Sequence, residues 1–340
     1  MALDIALVAA RNGLGHARRL LHLASGLIEL NTKVSLLLTL QQSELLKSEI
    51  LSLANNMQNL SVIIIPKYGP DTLNFSHYIP DAPQPDREII RTLSRVKVVI
   101  SDNSLWPAQY SNSFFILGHF TWQQYWSKSS DEARKRFRPE TSSEYDYKSF
   151  NRVINWFRTD IFGWDTPAGL SSTDIPILRY RSDKAIGEVK ESLDAKAEVW
   201  HANGTTSLNV VNTKHIKGNR LKLINRETFR MSTSNSRPLL VVGRPGMGTI
   251  RDCLAHSVPF LPLWSGEDPE LERNSQILKE LDLTPRAVII TEPLSKSETN
   301  FEILALKSKM FQLTAFWDKY SASATSVAQL ILDKIRYCGL

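Results

Sequence analysis

The chain has 340 residues, 42% of them hydrophobic and 22% charged, and 41 lysines and arginines against 35 acids leave a formal charge of +6. That balance is the one expected of a soluble globular chain of about two domains, and it excludes fibrous, collagen-like and intrinsically disordered classes. Two cysteines exclude a disulfide framework or a structural zinc site, and no apolar run approaches the ~20 residues needed to cross a bilayer.

The first hundred and twenty residues read as strands alternating with helices. "DIALVAA" reads as a buried strand; Asp4 inside it, with no small-residue cleavage site beyond, argues against a secretory leader and for a reducing, cytoplasmic setting. "HARRLLHLASGLIEL" has helical periodicity, "KVSLLLTL" is the second strand and "QQSELLKSEILSLANN" a second helix. "LSVIIIPKY" follows as a strand, "PDAPQPDREIIRTLSRV" contains a helix, and "KVVISDN" and "SNSFFILGHFTW" are strands. Such runs, separated by helical periods, predict a parallel sheet covered on both faces.

"FGWDTPAGLSSTDIP" (162–176) has the composition of a linker. The alternation then restarts with strands "IPILRYR", "KAEVWHAN", "NRLKLIN" and "RPLLVVGRPG". Helix "GTIRDCLAHS", strand "VPFLPLW", helix "ELERNSQILKELD" and strand "RAVIIT" come next, with helices "SETNFEILALKSKMFQLTAF" and "ATSVAQLILDKIRYC" at the end. Two α/β halves are expected, with no internal repeat. "ARKRFRP" (133–139) and the cluster Arg87, Arg91, Arg95 and Lys97 are the densest basic features. They fit a solvated face, or a surface for anionic substrates or an anionic membrane; nucleic acid is not expected, since no nucleic-acid module is present.

Two glycine turns stand where ligands bind in open α/β sheets, beyond the carboxyl ends of strands and at helix amino termini. The first, "RNGLGHARR", lacks the third glycine and the closing acid of a dinucleotide fingerprint and the G-K-[ST] of a Walker loop. Its glycines Gly13 and Gly15 serve either a ligand or close packing. The second is "GRPGMGTIRDCLAHSVPFLPLWSGEDPELERNSQIL", in which Gly243, Gly246 and Gly248 would let a diphosphate approach the backbone. Thr249 is placed to cap the following helix, and Asp252 either completes that cap or bonds the vicinal hydroxyls of a ribose.

These two turns resemble the GT-B glycosyltransferases, above all the N-acetylglucosaminyltransferase of the lipid II step and the UDP-sugar hydrolase of pseudaminic acid synthesis. Gly13, Gly15 and His16 match their first G-x-G-H turn, and Arg244, Gly246, Thr249, Asp252, Val258, Pro259 and Asn274 follow their second pattern in order. The resemblance implies an α/β chain of two Rossmann-like domains facing across a cleft. Residues 1–165 would form the acceptor side and 166–315 the nucleotide-sugar side, with 316–340 a terminal helix packing back on the first. Ser182, Arg244, Gly246, Met247, Gly248, Thr249, Asp252, Glu270 and Asn274 would then meet the donor. Asn12, Gly13, Gly15, Arg18, His119 and Trp122 would lie on the acceptor side. The sequence departs from the pattern at Asp252, where Glu is usual, at Leu271, and at Ser257, where glycine precedes "VP". "RYRSD" keeps Ser182 but has lost both glycines of the corresponding turn.

The implied activity is inverting transfer from a nucleotide diphosphate sugar, UDP-linked, to a glycan or lipid-linked acceptor, with no cofactor. Without a D-x-D motif no metal is expected; the helix dipole, Arg244 and backbone amides would meet the leaving group's charge. His16 and Asp102 are the candidate bases, with backbone bonding and loop capping as their respective alternatives. Trp122 and Trp126, four apart, would share a helix face, for stacking on a sugar or for the core. A nucleotide-sugar hydrolase and a non-catalytic binding protein remain open on the same scaffold. Action on lipid-linked acceptors would bring peripheral attachment at the inner face of a membrane.

Overall fold

The computed structural model describes residues 3–10, 14–54, 59–65, 87–128, 152–159, 161–180, 197–202, 221–226, 238, 240–264, 268–284, 288–289 and 310–340. The chain forms two compact units, residues 1–180 with 322–340, and residues 181–321.

The first unit is built on a seven-stranded sheet in the order β3-β2-β1-β4-β5-β6-β7, every neighbouring pair parallel. The strands are β1 (Asp4–Val8), β2 (Lys33–Thr39), β3 (Leu60–Ile65), β4 (Val98–Asp102), β5 (Phe114–Gly118), β6 (Val153–Thr159) and β7 (Ser172–Ile175). Along β1, Ile5 and Leu7 enter one apolar core while Ala6 and Val8 enter the other, so the strand needs an unbroken apolar run. Order reverses between β1 and β4, which makes their carboxyl ends the switch point of this sheet.

Helix α1 (Leu14–Glu29) lies on the first face, burying Leu20, Leu21, Leu23, Ala24, Leu27 and Ile28. The predicted second helix is two, α2 (Leu40–Leu45) and α3 (Lys47–Ala54), separated at Leu46, which is itself buried. Thr39 and Gln42 close a reciprocal capping box at the start of α2. Helix α4 (Arg87–Arg95) covers the opposite face through Ile89 and Leu93, and α5 (Trp122–Lys128) follows β5.

The stretch read as a linker carries β7, whose Asp174 is paired with Arg158 of β6 at 2.6 Å. Gly163, Pro167 and Gly169 precede a short added strand, and the first unit runs to Tyr180, past the boundary expected at 165. In "IPILRYR" Ile175 ends β7 and Ile177–Leu178 form β8, and Arg179 N–H donates to the Ala322 carbonyl at 2.8 Å within the first unit.

The second unit holds β9 (Ala197–Ala202), β10 (Leu221–Arg226), β11 (Leu240–Gly243), β12 (Phe260–Trp264) and β13 (Val288–Ile289), in the order β10-β9-β11-β12-β13 and parallel. Here the order reverses between β9 and β11. Helix α6 (Met247–Ala255) follows β11, α7 (Pro269–Glu280) follows β12, and α8 (Met310–Tyr320) packs on α6. The earlier part of the long helix predicted before residue 310 lies outside the described residues.

Helix α9 (Ala324–Tyr337) belongs to the first unit and packs along α1 with Val327, Ala328, Ile331, Leu332 and Ile335. Gly26 makes that approach possible: a Cβ there would overlap the Ala324 backbone carbonyl. Thr325 donates to the Glu29 carboxylate beside it. The polypeptide therefore returns to the first unit at Ala322, later than the residue 316 expected.

Candidate active site

At the switch point of the first sheet, the third residue of α1 meets the last residue of β4. His16 Nδ1 lies 2.9 Å from Asp102 Oδ1, and the carboxylate is fully buried while the imidazole is 15% exposed. Arg19, one turn further along α1, donates from Nε to Oδ2 at 2.8 Å and from Nη2 to Oδ1 at 2.5 Å. Burial raises the carboxyl pKa, but the charges of Arg19 and His16 and their hydrogen bonds outweigh it and hold Asp102 at about 2. An ionised carboxylate only accepts, so His16 Nδ1 must carry the hydrogen it shares, and in the neutral ring Nε2 is then the acceptor. The two residues read as separate candidate bases are thus one hydrogen-bonded constellation, with Arg19 as its third member.

The same strand ends require an unusual backbone. Asn103 has φ 60° and Gly118 φ 138°. A Cβ on Gly118 would overlap the Asn103 amide and come to 3.5 Å from Asp102 Oδ1. The Asn103 amide donates to Phe120 O at 2.7 Å and Leu117 O at 3.2 Å once its nitrogen is oriented toward them. Gly118 therefore leaves room for Asn103 and, behind it, for the buried carboxylate.

In the second unit, "GRPG" joins β11 to α6 at the sheet's own switch point. The N-cap of α6 is Gly246, without a side-chain cap, and its first turn carries no acid. Thr249 is consequently the third helical residue and not the cap, and Asp252 lies in the second turn, which removes the capping-box alternative for it. The unpaired N–H groups of an uncapped helix favour an anion. The neighbouring α7 is the opposite case: Asp268 caps it by accepting from Glu270 N at 3.0 Å and Leu271 N at 3.2 Å, and Glu270 and Glu272 occupy its first turn. Of the two ends, only that of α6 lacks a side-chain cap.

A scan against protein-family models finds no match, and no curated protein matches. Solved structures do match over the whole length. LpCGTa in complex with UDP is 12% identical, with 98% of this chain and 99% of that one covered and a TM-score of 0.65. The Arabidopsis thaliana UGT89C1 complexed with UDP-L-rhamnose is 11% identical, covering 98% of each chain at a TM-score of 0.64. The spinosyn forosaminyltransferase SpnP is 10% identical, covering 98% and 99% at 0.63. The fold is GT-B.

Within this GT-B chain the expected site residues separate into distinct groups. Arg244 Nη2 donates to Asp268 Oδ2 at 3.2 Å, and Asn274, fully buried, donates to the Pro245 carbonyl at 2.8 Å. Asn274 thereby ties the glycine turn to α7, a holding role distinct from the donor contact expected of it. Asp252 is nearly buried and paired with Arg251, whose guanidinium lies 5.6 Å over the Trp317 ring. Ser257 does take the left-handed conformation, φ 50°, and its Oγ is 2.7 Å from Thr314 Oγ1. Gly246, Met247 and Glu270 are partly exposed and Gly248 exposed.

Ser182 lies outside the described residues, and the strand that precedes it, β8, belongs to the first unit. On the acceptor side, Asn12 and Gly13 are outside the described residues, as is the Trp122 side chain. Gly15 is exposed in the first turn of α1; Arg18 faces Glu49 of α3 at 3.5 Å; His119 is buried edge-on to Phe120. Sequence reasoning missed Arg19, Gly118 and Asp268. The first was detectable as the i+3 neighbour of His16 on a helix, and the last as an Asp-Pro helix start.

Proposed function

We propose that the protein is an inverting, metal-independent glycosyltransferase that takes a UDP-sugar donor, hexosyl or N-acetylhexosaminyl, and acts in glycan or glycoconjugate synthesis. The carrying observation is the 2.9 Å contact between His16 and a buried, ionised Asp102 at the switch point of the first sheet. With Nδ1–H committed to the carboxylate, His16 Nε2 accepts the acceptor hydroxyl's proton as the oxygen attacks the anomeric carbon. Displacement in one step inverts that centre. The second unit supplies the donor site: the open N-terminus of α6, with Gly246, Met247, Gly248 and Thr249, meets the diphosphate and offsets the charge developing on leaving UDP. Asp252 holds the ribose hydroxyls, with Arg251 fixing its carboxylate, and Glu270 faces the sugar. The complexes of two similar structures with UDP and with UDP-L-rhamnose support the choice of nucleotide.

The acceptor we propose is a glycan or lipid-linked sugar presented at the inner face of a membrane, with the protein cytoplasmic. No helix among the described residues is long and apolar enough to cross a bilayer. Arg87, Arg91 and Arg95 recur every four residues along the exposed face of α4, opposite buried Ile89 and Leu93. Like charges at that spacing cost helix stability, which an anionic surface would offset.

The test is UDP release from a panel of UDP-sugars, with and without a mixed glycoside acceptor pool and with EDTA present. Acceptor-dependent, EDTA-insensitive release that is lost in His16→Ala supports the reading. Equal release without acceptor converts it to a nucleotide-sugar hydrolase. No UDP-sugar raising the melting temperature, with Asp252→Ala changing nothing, leaves a binding protein on this fold. Salt-sensitive sedimentation with anionic liposomes, lost on reversing Arg87, Arg91 and Arg95, tests the membrane contact.

A further inference from the structure

We propose that Arg19 is the positioning residue of the His16–Asp102 pair: its two-point grip turns the buried carboxylate so that Oδ1 meets His16 Nδ1, which locks the imidazole in the Nδ1–H tautomer with Nε2 bare. The inference rests on the dyad reading of this site and adds a member to it.

Three observations carry it. First, the grip is two-point, Nε on Oδ2 and Nη2 on Oδ1, so both oxygens of a fully buried carboxylate are fixed and its rotation is suppressed. Second, Arg19 Nη2 also comes within 3.3 Å of His16 Nδ1. Guanidinium nitrogens never accept, and if His16 Nδ1 accepted from Arg19 it could not also donate to Oδ1 at 2.9 Å. The carboxylate resolves this by accepting from both. Third, no other cation of α1 takes this part, because Arg18 and His22 face Glu49 of α3 at 3.5 and 3.8 Å. His16 and Arg19 are three apart on one helix, so the grip also sets the register of α1 against β4. The absence of a Cβ on Gly118 lets the Asn103 amide pack beside this carboxylate.

The test reads the tautomer directly and needs no substrate. The 340-residue chain is labelled with ¹⁵N-histidine, and the His16 ring nitrogens are assigned by their loss in His16→Gln and followed at pH 8. The native protein should show a protonated Nδ1 and a bare Nε2. In Arg19→Gln the carboxylate is released, and the Nε2–H population should rise about tenfold, the effect of losing one charge-assisted hydrogen bond. Arg19→Lys keeps the charge without the fork and should show both tautomers, so it carries the test alone if Arg19→Gln does not fold. A single Nδ1–H tautomer in the Arg19 variants overturns the proposal. Asp102→Asn separates the two levels: if it too leaves the tautomer unmoved, the dyad reading itself falls.

Discussion

Asp102→Asn removes the charge on which the first unit's site is built, and its effect on stability has a calculable pH dependence. The carboxyl is held at about 2 against an ordinary 3.8. At about 1.4 kcal/mol per pH unit, the ionised group contributes on the order of 2.5 kcal/mol at neutral pH. Because the folded pKa is the lower one, that contribution is present above 3.8 and is lost as pH falls toward 2. Near pH 3 roughly half of it should remain. Asparagine cannot titrate, so the difference between native protein and variant should be largest at pH 6–7 and shrink by about 1 kcal/mol at pH 3. Urea unfolding between pH 7 and 3 measures it, followed by Trp156 and Trp164 fluorescence, since both indoles are buried in this unit. A gap of constant size across that range would refute the argument, because it would mean that Asp102 is not held ionised by Arg19 and His16.

Gly118→Ala forces a side chain into a backbone conformation essentially reserved for glycine and against the Asn103 amide; thermal or urea unfolding should show a loss of about 2–4 kcal/mol. Gly15→Ala is the contrast: nothing lies within 4 Å of its Cβ position, so it should leave stability unchanged or raise it by up to about 1 kcal/mol. Gly26→Ala must part α1 from α9, costing about 1–3 kcal/mol despite its better helix propensity, and should expose the C-terminal helix to limited proteolysis. Burial and Glu270 push Asp268 up to about 6, against Arg244 and the N–H groups of Leu271 and Glu270. Its ionised form is therefore penalised in the folded state, a cost that is complete above pH 6 and absent below 3.8. Asp268→Asn keeps a cap acceptor, so it should raise the unfolding midpoint at pH 7.5 by more than at pH 4; an equal gain at both would refute the assignment.

Local pattern determined much of this protein. Alternating apolar runs and helical periods specified two α/β halves, because strands buried on both faces and helices buried on one leave different periodicities. The resemblance carried by the two glycine turns pointed to the GT-B fold, and His16 and Asp102, both read as candidate bases, do meet in space. Where pattern and composition conflicted, composition misled: β7 hides in a proline- and glycine-rich stretch because a four-residue strand leaves too few positions for alternation. The strand before Ser182, β8, likewise reads like the opening of the second sheet but belongs to the first unit.

Tertiary structure alone decided what these residues do to one another. His16 and Asp102 are 86 positions apart, and only the parallel pairing of β1 with β4 carries the end of one strand to the helix that follows the other. No local signal tells that Arg19 turns inward to that carboxylate while Arg18, its neighbour, turns toward Glu49. That choice follows from the phase of α1 against the sheet, which is set by the burial of Leu20, Leu21, Leu23 and Leu27 and by the close approach of α9 at Gly26. The chemistry at the strand ends is thus written in residues the sequence displays, but their pairing comes from packing, because charge and hydrogen bonding act through distance in space and not along the chain.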